Sequence, residues 1–257
     1  MKKILIASCL FLFIVSCNDK KSTEQSNETE VAKDTTKSIT NQEQQNLTTT
    51  NDTMQNENNE KEYKVKISTS YGDMILLLYN ETPKHRDNFI KLVKEGYYND
   101  LLFHRVMKDF MIQGGDPESK NAKPGQMLGQ GGPGYTVPAE FRTNLIHKKG
   151  ALAAARQSYN VNPTKASSGS QFYIVQGKKY TPAELTQLEQ SMGALLTDQQ
   201  KKTYQEVGGT PFLDYNYTVF GEVISGLEVI DKIAAVQTNQ QTNRPIQDVK
   251  MKITIVE

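Results

Sequence analysis

Phe103-His104-Arg105-Val106-Met107-Lys108-Asp109-Phe110-Met111-Ile112-Gln113-Gly114-Gly115-Asp116 organises the reading of this chain. An extended run over 101–106 sends successive side chains to opposite faces, so Arg105 points away from the side taken by His104 and Val106. Lys108-Asp109 reads as a turn, which returns Phe110, Met111 and Gln113 on a second extended piece. Two such pieces set a guanidinium, an apolar floor and a neutral amide around one small concavity. The stretch holds no nucleophile, no metal-ligand cluster and no phosphate loop. It is a binding surface first, and any catalysis there must come from the way it binds.

Outward from this stretch the chain breaks into short elements. Tyr63 to Ser68 alternates at period two, Tyr71-Gly72-Asp73 signals a turn, and Met74 to Tyr79 completes a hairpin. Thr82-Pro83 has the form of an N-cap followed by proline at the first helical position. The helix it opens carries Phe89, Leu92 and Val93 on one face and ends at Gly96. Further strands are expected at 101–106, 110–114, 151–155, 171–176, 217–223 and 249–256, with a second helix near Leu227 to Ala235. This pattern predicts a mainly β fold, a closed antiparallel barrel capped by two helices. By pattern alone a sandwich is equally open.

A helical hairpin is expected as an insertion over about 178–210. Thr181-Pro182-Ala183-Glu184 matches a capping box, with Leu185, Leu188 and Met192 following at helical spacing. Thr197-Asp198-Gln199-Gln200 opens a shorter helix that stops at Gly208-Gly209. The hairpin either packs on the outside of the barrel or borders the groove and adjusts client choice.

The first residues have the form of a processing signal. Lys2-Lys3 precede an apolar stretch from Ile4 to Val15, shorter than the roughly 17–25 residues that span a bilayer. Ile14-Val15-Ser16-Cys17 has the pattern of a bacterial lipoprotein box, so residues 1–16 are expected to be removed and Cys17 lipidated. Cys9 would leave with the signal, and Cys17 alone remains, so no disulfide forms within the mature chain. Residues 17–61 are dominated by Asn, Gln, Thr, Ser, Glu, Asp and Lys without an apolar period, and are expected to form a disordered tether. Such a leash has a root-mean-square reach of about 35–40 Å. Residues 62–257 are then a single folded domain. Thirty Lys and Arg against 29 Asp and Glu give a formal net charge of +1, which suggests no nucleic-acid partner.

The opening stretch closely resembles the signature of cyclophilins, the cyclosporin-type peptidyl-prolyl cis-trans isomerases. The resemblance continues in Gly150-Ala151-Leu152-Ala153-Ala154-Ala155-Arg156, in Ser168-Gly169-Ser170-Gln171-Phe172-Tyr173-Ile174-Val175, and in Phe212-Leu213-Asp214 with Tyr217-Thr218-Val219-Phe220-Gly221. It implies an eight-stranded barrel and isomerisation of X-Pro bonds with no cofactor and no metal. It places Arg105 as donor to the prolyl nitrogen, with Phe110, Met111, Tyr173 and Leu213 seating the proline ring. Gln113 matches the glutamine that holds the substrate backbone, and Ala155 an alanine lining the neighbouring subsite. Gln171, Arg156, Phe212 and Tyr217 complete the substrate-binding set, three of them with changes. Arg156 stands for an asparagine, Phe212 for the tryptophan of drug-sensitive members, and Tyr217 for a histidine, while Tyr173 replaces the commoner phenylalanine. The missing indole N–H implies weak cyclosporin binding.

Amide rotation transfers no proton, so His104 is expected to be structural and not a general base. His85 and His147 stand isolated and no Cys/His/Asp set has metal spacing. Gly129-Gln130-Gly131-Gly132-Pro133-Gly134 lacks the lysine of a phosphate loop and is expected to be a mobile surface loop. The functional expectation is a monomeric, lipid-anchored isomerase in a bacterial cell envelope, acting on proline-containing segments of unfolded or extended proteins. The rival classes are a tethered chaperone without turnover and a barrel carrying a small ligand inside.

Overall fold

The computed structural model describes residues 61–256. The expected signal peptide over 1–16, the lipidated Cys17 and the tether up to residue 60 lie outside the described residues. The chain opens with β1 (Tyr63–Thr69), β2 (Gly72–Leu78) and α1 (Pro83–Lys94), followed by β3 (Arg105–Met107), β4 (Met111–Gly114) and β5 (Thr136–Val137). Next come β6 (Ala151–Ala154), β7 (Ser167–Ser168), β8 (Phe172–Val175), α2 (Pro182–Met192) and α3 (Asp198–Glu206). β9 (Val219–Ser225), α4 (Leu227–Ala234) and β10 (Lys252–Val256) complete it.

Eight strands form one antiparallel sheet in the order β10-β1-β2-β9-β6-β8-β4-β3, and β5 pairs with β7 separately. The ladder has two ends, so the expected closed barrel is corrected to a curled, open sheet. β3 and β10 do not pair with each other; only the segments leading into them meet, through a bridge between Leu102 and Lys250. The same seam explains why the strand expected over 101–106 begins at Arg105. Asp100 and Phe103 donate to the carbonyls of Met251 and Val249, and Met251 N–H donates back to Leu101.

Side chains alternate between two apolar clusters across the central strands. Ile112, Leu152, Phe172, Ile174 and Phe220 join the main core with Val65, Ile67, Met74 and Leu76, while Met111, Ala151, Ala153, Tyr173, Val175 and Val219 form a second cluster. Both faces of β6 and β8 are therefore covered, and their sequences run continuously apolar where a half-exposed strand would alternate. The second cluster marks the outer face of the sheet, and the site stands on that face.

Gly114 and Gly115 follow from close approach. A Cβ on Gly114 would lie 2.4 Å from Met251 Cε, and one on Gly115, at φ +90°, would lie 2.2 Å from the Ser170 carbonyl oxygen. Thr82 takes the N-cap position of α1, yet its side chain makes no capping bond. Glu140 supplies the cap from across the fold, accepting from Lys84 N–H at 3.1 Å and His85 N–H at 3.0 Å. The His85 ring is not isolated either: Nδ1 lies 2.7 Å from Glu140 Oε2 and Nε2 2.9 Å from Ser167 Oγ. Helices α2 and α3 carry full capping boxes at Thr181/Glu184 and Thr197/Gln200. Among the described residues no helix is long and apolar enough to cross a membrane.

Candidate active site

The β3–β4 hairpin places Arg105 directly opposite Gln113, and the β4–β8 ladder places Gln113 opposite Tyr173. Asp109, at φ +60°, makes the turn between them, and Phe110 N–H donates back to Met107 at 3.2 Å. Directly opposed residues of an antiparallel pair share a face, so Arg105, Gln113 and Tyr173 form one row on the outer side. They line a cavity of about 430 Å³ together with Phe110, Met111 and Leu213. Ala155, Arg156 and Tyr217 line it as well. Nine of the eleven residues expected to bind or act on substrate meet there.

The other two sit at the margins. Gln171 lines the adjoining cavity, which shares Gln113, Ala155 and Arg156 with the first. Phe212 lies outside both lining sets; it is 42% exposed and stacks on Phe110 with ring centroids 5.8 Å apart. Ala155 does line the groove, but its N–H donates to Gln171 and its carbonyl accepts from Ser168, so both backbone groups are engaged.

A polar relay holds the guanidinium. Arg105 Nη1 donates to Gln113 Oε1 at 3.1 Å, Gln113 Nε2 to Gln171 Oε1 at 3.1 Å, and Gln171 Nε2 to the Gly131 carbonyl at 2.8 Å. Arg105 Nη2 contacts Met107 Sδ at 3.1 Å, and no carboxylate forms an ion pair with Arg105 among the described residues. Burial lowers the Arg105 pKa from its usual value while nearby Tyr217 works the other way, and a guanidinium stays protonated in proteins. The site thus keeps a fixed cation with donor capacity beside the Phe110 ring, whose centroid lies 5.8 Å from Arg105 Cζ.

The Tyr173 hydroxyl, a polar group inside an apolar seat, has a partner: His147 Nε2 at 2.9 Å. Tyr217 meets the Tyr173 ring edge-on at 5.9 Å and carries the Arg156 guanidinium 4.5 Å from its centroid. Arg156 Nε also donates to the Asn216 carbonyl at 2.7 Å, which turns its side chain along the rim. The glycine loop expected to be mobile is tied to the site: Asp116 accepts from Gly129 N–H, Gln171 grips Gly131, and Gly129 and Gln130 line the main cavity. Residues 241–244 line it too, with Arg244 fixed by Asp248. The sequence marks 129–134 only as a surface loop with no part in the site and gives 241–244 no signal at all, because neither segment carries a local period.

His104 is 3% exposed, and burial pulls its pKa down to about 4, with Asp116 opposing and Arg105 and Arg244 adding to the effect. An unfolded histidine titrates near 6.5. As pH falls through 6.5 toward about 4, the unfolded chain gains a proton that the folded chain refuses, so stability drops over that window. The expected loss is on the order of 3 kcal/mol by its lower end, with His85, also lowered by burial, acting in the same direction. Urea unfolding between pH 7 and 4.5 should show this slope and should show much less of it in His104→Leu. An equal slope in both proteins would refute the assignment.

Residues 64–256 match the family model for cyclophilin type peptidyl-prolyl cis-trans isomerases. The chain is 38% identical over 198 residues to a putative peptidyl-prolyl cis-trans isomerase of Staphylococcus aureus, covering 76% of this chain and 92% of that one. It is 41% identical over 189 residues to a putative bifunctional phosphatase/peptidyl-prolyl cis-trans isomerase of Streptococcus pyogenes serotype M6, covering 72% of this chain. The match spans only 37% of that longer protein. Among solved structures, a cyclophilin type isomerase from Cryptosporidium parvum is similar at TM-score 0.55 and 24% identity, covering 77% of this chain and 99% of that one. The same protein crystallised in the presence of the dipeptide Ala-Pro gives TM-score 0.54 at 25% identity, covering 76% and 99%. The fold and the row of site residues define a cyclophilin-like chain. By the family match and these identities, the chain belongs to the cyclophilin type peptidyl-prolyl cis-trans isomerase family.

Proposed function

We propose that this chain accelerates rotation about X-Pro bonds in unfolded or extended envelope proteins by non-covalent binding of the twisted amide. The observation that carries this reading is Arg105, held opposite Gln113 and beside Phe110 on an apolar seat. A planar prolyl amide resists rotation with a barrier of about 18–20 kcal/mol. Twisting breaks conjugation and gives the prolyl nitrogen a lone pair, which accepts a hydrogen bond from the guanidinium. The interaction forms only in the twisted state, so it lowers the barrier without tightening ground-state binding. Phe110, Met111, Tyr173 and Leu213 seat the ring, and Gln113 holds the backbone beside it. No bond is made or broken, so no nucleophile or cofactor is required.

A protease-coupled isomerisation assay with a cyclosporin titration tests this reading. Turnover is expected, with inhibition far weaker than for tryptophan-bearing family members, because Phe212 offers no N–H. Absence of turnover contradicts the activity, and a comparable inhibition constant contradicts the role given to Phe212. We place the protein on a bacterial membrane through a lipid on Cys17, with the chain that follows as a tether and the domain acting as a monomer. In bacterial fractionation Cys17→Ser should move it from the membrane to the soluble fraction; an unchanged distribution opposes the anchor.

A further inference from the structure

A buried chain of side chains runs from the helical hairpin to the proline seat. Tyr204, on α3 and fully buried, donates its hydroxyl to Asp214 Oδ2 at 2.6 Å. Asp214 Oδ1 accepts from the His147 backbone N–H at 2.9 Å and from ring Nδ1 at 2.8 Å. A carboxylate only accepts, so Nδ1 carries a proton, and in the neutral ring Nε2 is the acceptor. Nε2 therefore accepts from the Tyr173 hydroxyl at 2.9 Å. The buried polar side-chain atoms of Tyr204, Asp214, His147 and Tyr173 all have partners, and His147 is wholly buried.

His147 contacts two walls of the seat. Its ring fixes Tyr173, and its carbonyl accepts from Thr210 N–H at 2.8 Å at the start of the turn that carries Phe212 and Leu213. The Asp214 carboxylate closes the far side of the same turn. α3 is tied in a second time, by Gln200 Nε2 donating to the Tyr215 hydroxyl at 2.7 Å. Packing leaves little slack: a Cβ on Gly209 would lie 2.2 Å from the His147 carbonyl and 2.7 Å from Tyr204 Cε1. The hairpin's own apolar cluster, Leu185, Leu196 and Tyr204, packs on Ile146, the neighbour of His147.

We propose that His147, Asp214 and Tyr204 are positioning residues for the isomerase pocket, through which the α2–α3 hairpin sets the placement of Tyr173 and Leu213. This rests on the pocket function proposed above. The relay turns the tyrosine hydroxyl into the protein and presents the ring to the substrate. A hydroxyl freed from His147 would instead seek water in the seat and compete with the proline ring.

The experiment compares wild type, Tyr204→Phe, Tyr173→Phe and the double variant, measuring an Ala-Pro peptide's dissociation constant, KM and kcat alongside urea stability. Tyr204→Phe keeps the ring and removes one donor, so the protein remains folded. It should raise KM and the dissociation constant about three- to tenfold with kcat nearly unchanged. Tyr173→Phe cuts the relay at the pocket end only, so adding Tyr204→Phe to it should lower peptide affinity by less than it does in wild type, the remainder acting through Asp214 on the turn that carries Leu213. Tyr180→Phe, on a ring edge-on to Tyr204 at 6.4 Å but outside the relay, should behave as wild type. Affinity within twofold of wild type in Tyr204→Phe, or full additivity in the double variant, overturns the proposal. Wild type that binds the peptide without turnover would defeat the isomerase reading alone, since the affinity cycle still judges the relay.

Discussion

Arg105→Ala is expected to lower kcat/KM by on the order of 10²–10³-fold, roughly 3–4 kcal/mol of transition-state stabilisation. The loss should fall on kcat, because the donor meets the prolyl nitrogen only when the amide is twisted. Stability should change little by comparison. Arg105 is half-buried at the end strand of the sheet, and its partners are Gln113 and the Met107 sulfur. Losing it leaves Gln113 still bonded to Gln171. A loss below about fivefold would remove Arg105 from the mechanism, and a loss confined to KM would make it a ground-state binding group. Kinetics of the variant beside wild type, with thermal unfolding of both, separates these outcomes.

Phe172→Ala should produce the largest loss of folding stability, about 3–5 kcal/mol. Phe172 is 1% exposed and sits among three other rings, edge-on to Phe89 at 5.4 Å, to Tyr98 at 5.6 Å and to Phe103 at 6.3 Å. Truncation removes those contacts and leaves a cavity between α1 and the sheet that rigid neighbours fill only partly. Yet Phe172 points into the main core, whereas Tyr173 beside it points into the seat. The fraction that remains folded should keep kcat/KM within a few-fold of wild type. Urea unfolding with activity measured below the transition checks both halves. A stability change under about 1 kcal/mol would mean the core collapses around the gap, contrary to the packing described.

These two residues adjoin the limits of what the sequence discloses. That a hairpin brings Gln113 back beside Arg105 was legible from the turn signal at Lys108-Asp109, but the register was not: a two-residue turn there would face Arg105 with Ile112, and it is the three-residue turn over 108–110 that sets Gln113 opposite it. The capping boxes of α2 and α3 were legible because their partners lie three residues apart. Thr82 shows where local reading stops. It occupies the cap position, but the hydrogen bonds come from Glu140, and no local signal announces a partner 55 residues away. His85 and His147 looked isolated for that reason, their carboxylate partners being 55 and 67 residues distant. Sheet closure was overread because eight strands satisfy the count of a barrel while the pairing of its ends depends on the path of 99–104.

The most direct measurement of catalysis by this pocket is two-dimensional NMR exchange on a short X-Pro peptide with a catalytic amount of the chain. Uncatalysed exchange takes tens to hundreds of seconds and gives no cross-peaks between cis and trans resonances on the experiment's subsecond mixing time. With the wild-type chain, cross-peaks should appear and grow with its concentration, and Arg105→Ala should suppress them while peptide shifts still report binding. Peptide shifts without exchange cross-peaks at any wild-type concentration would contradict the account and leave a pocket that binds proline without turning it.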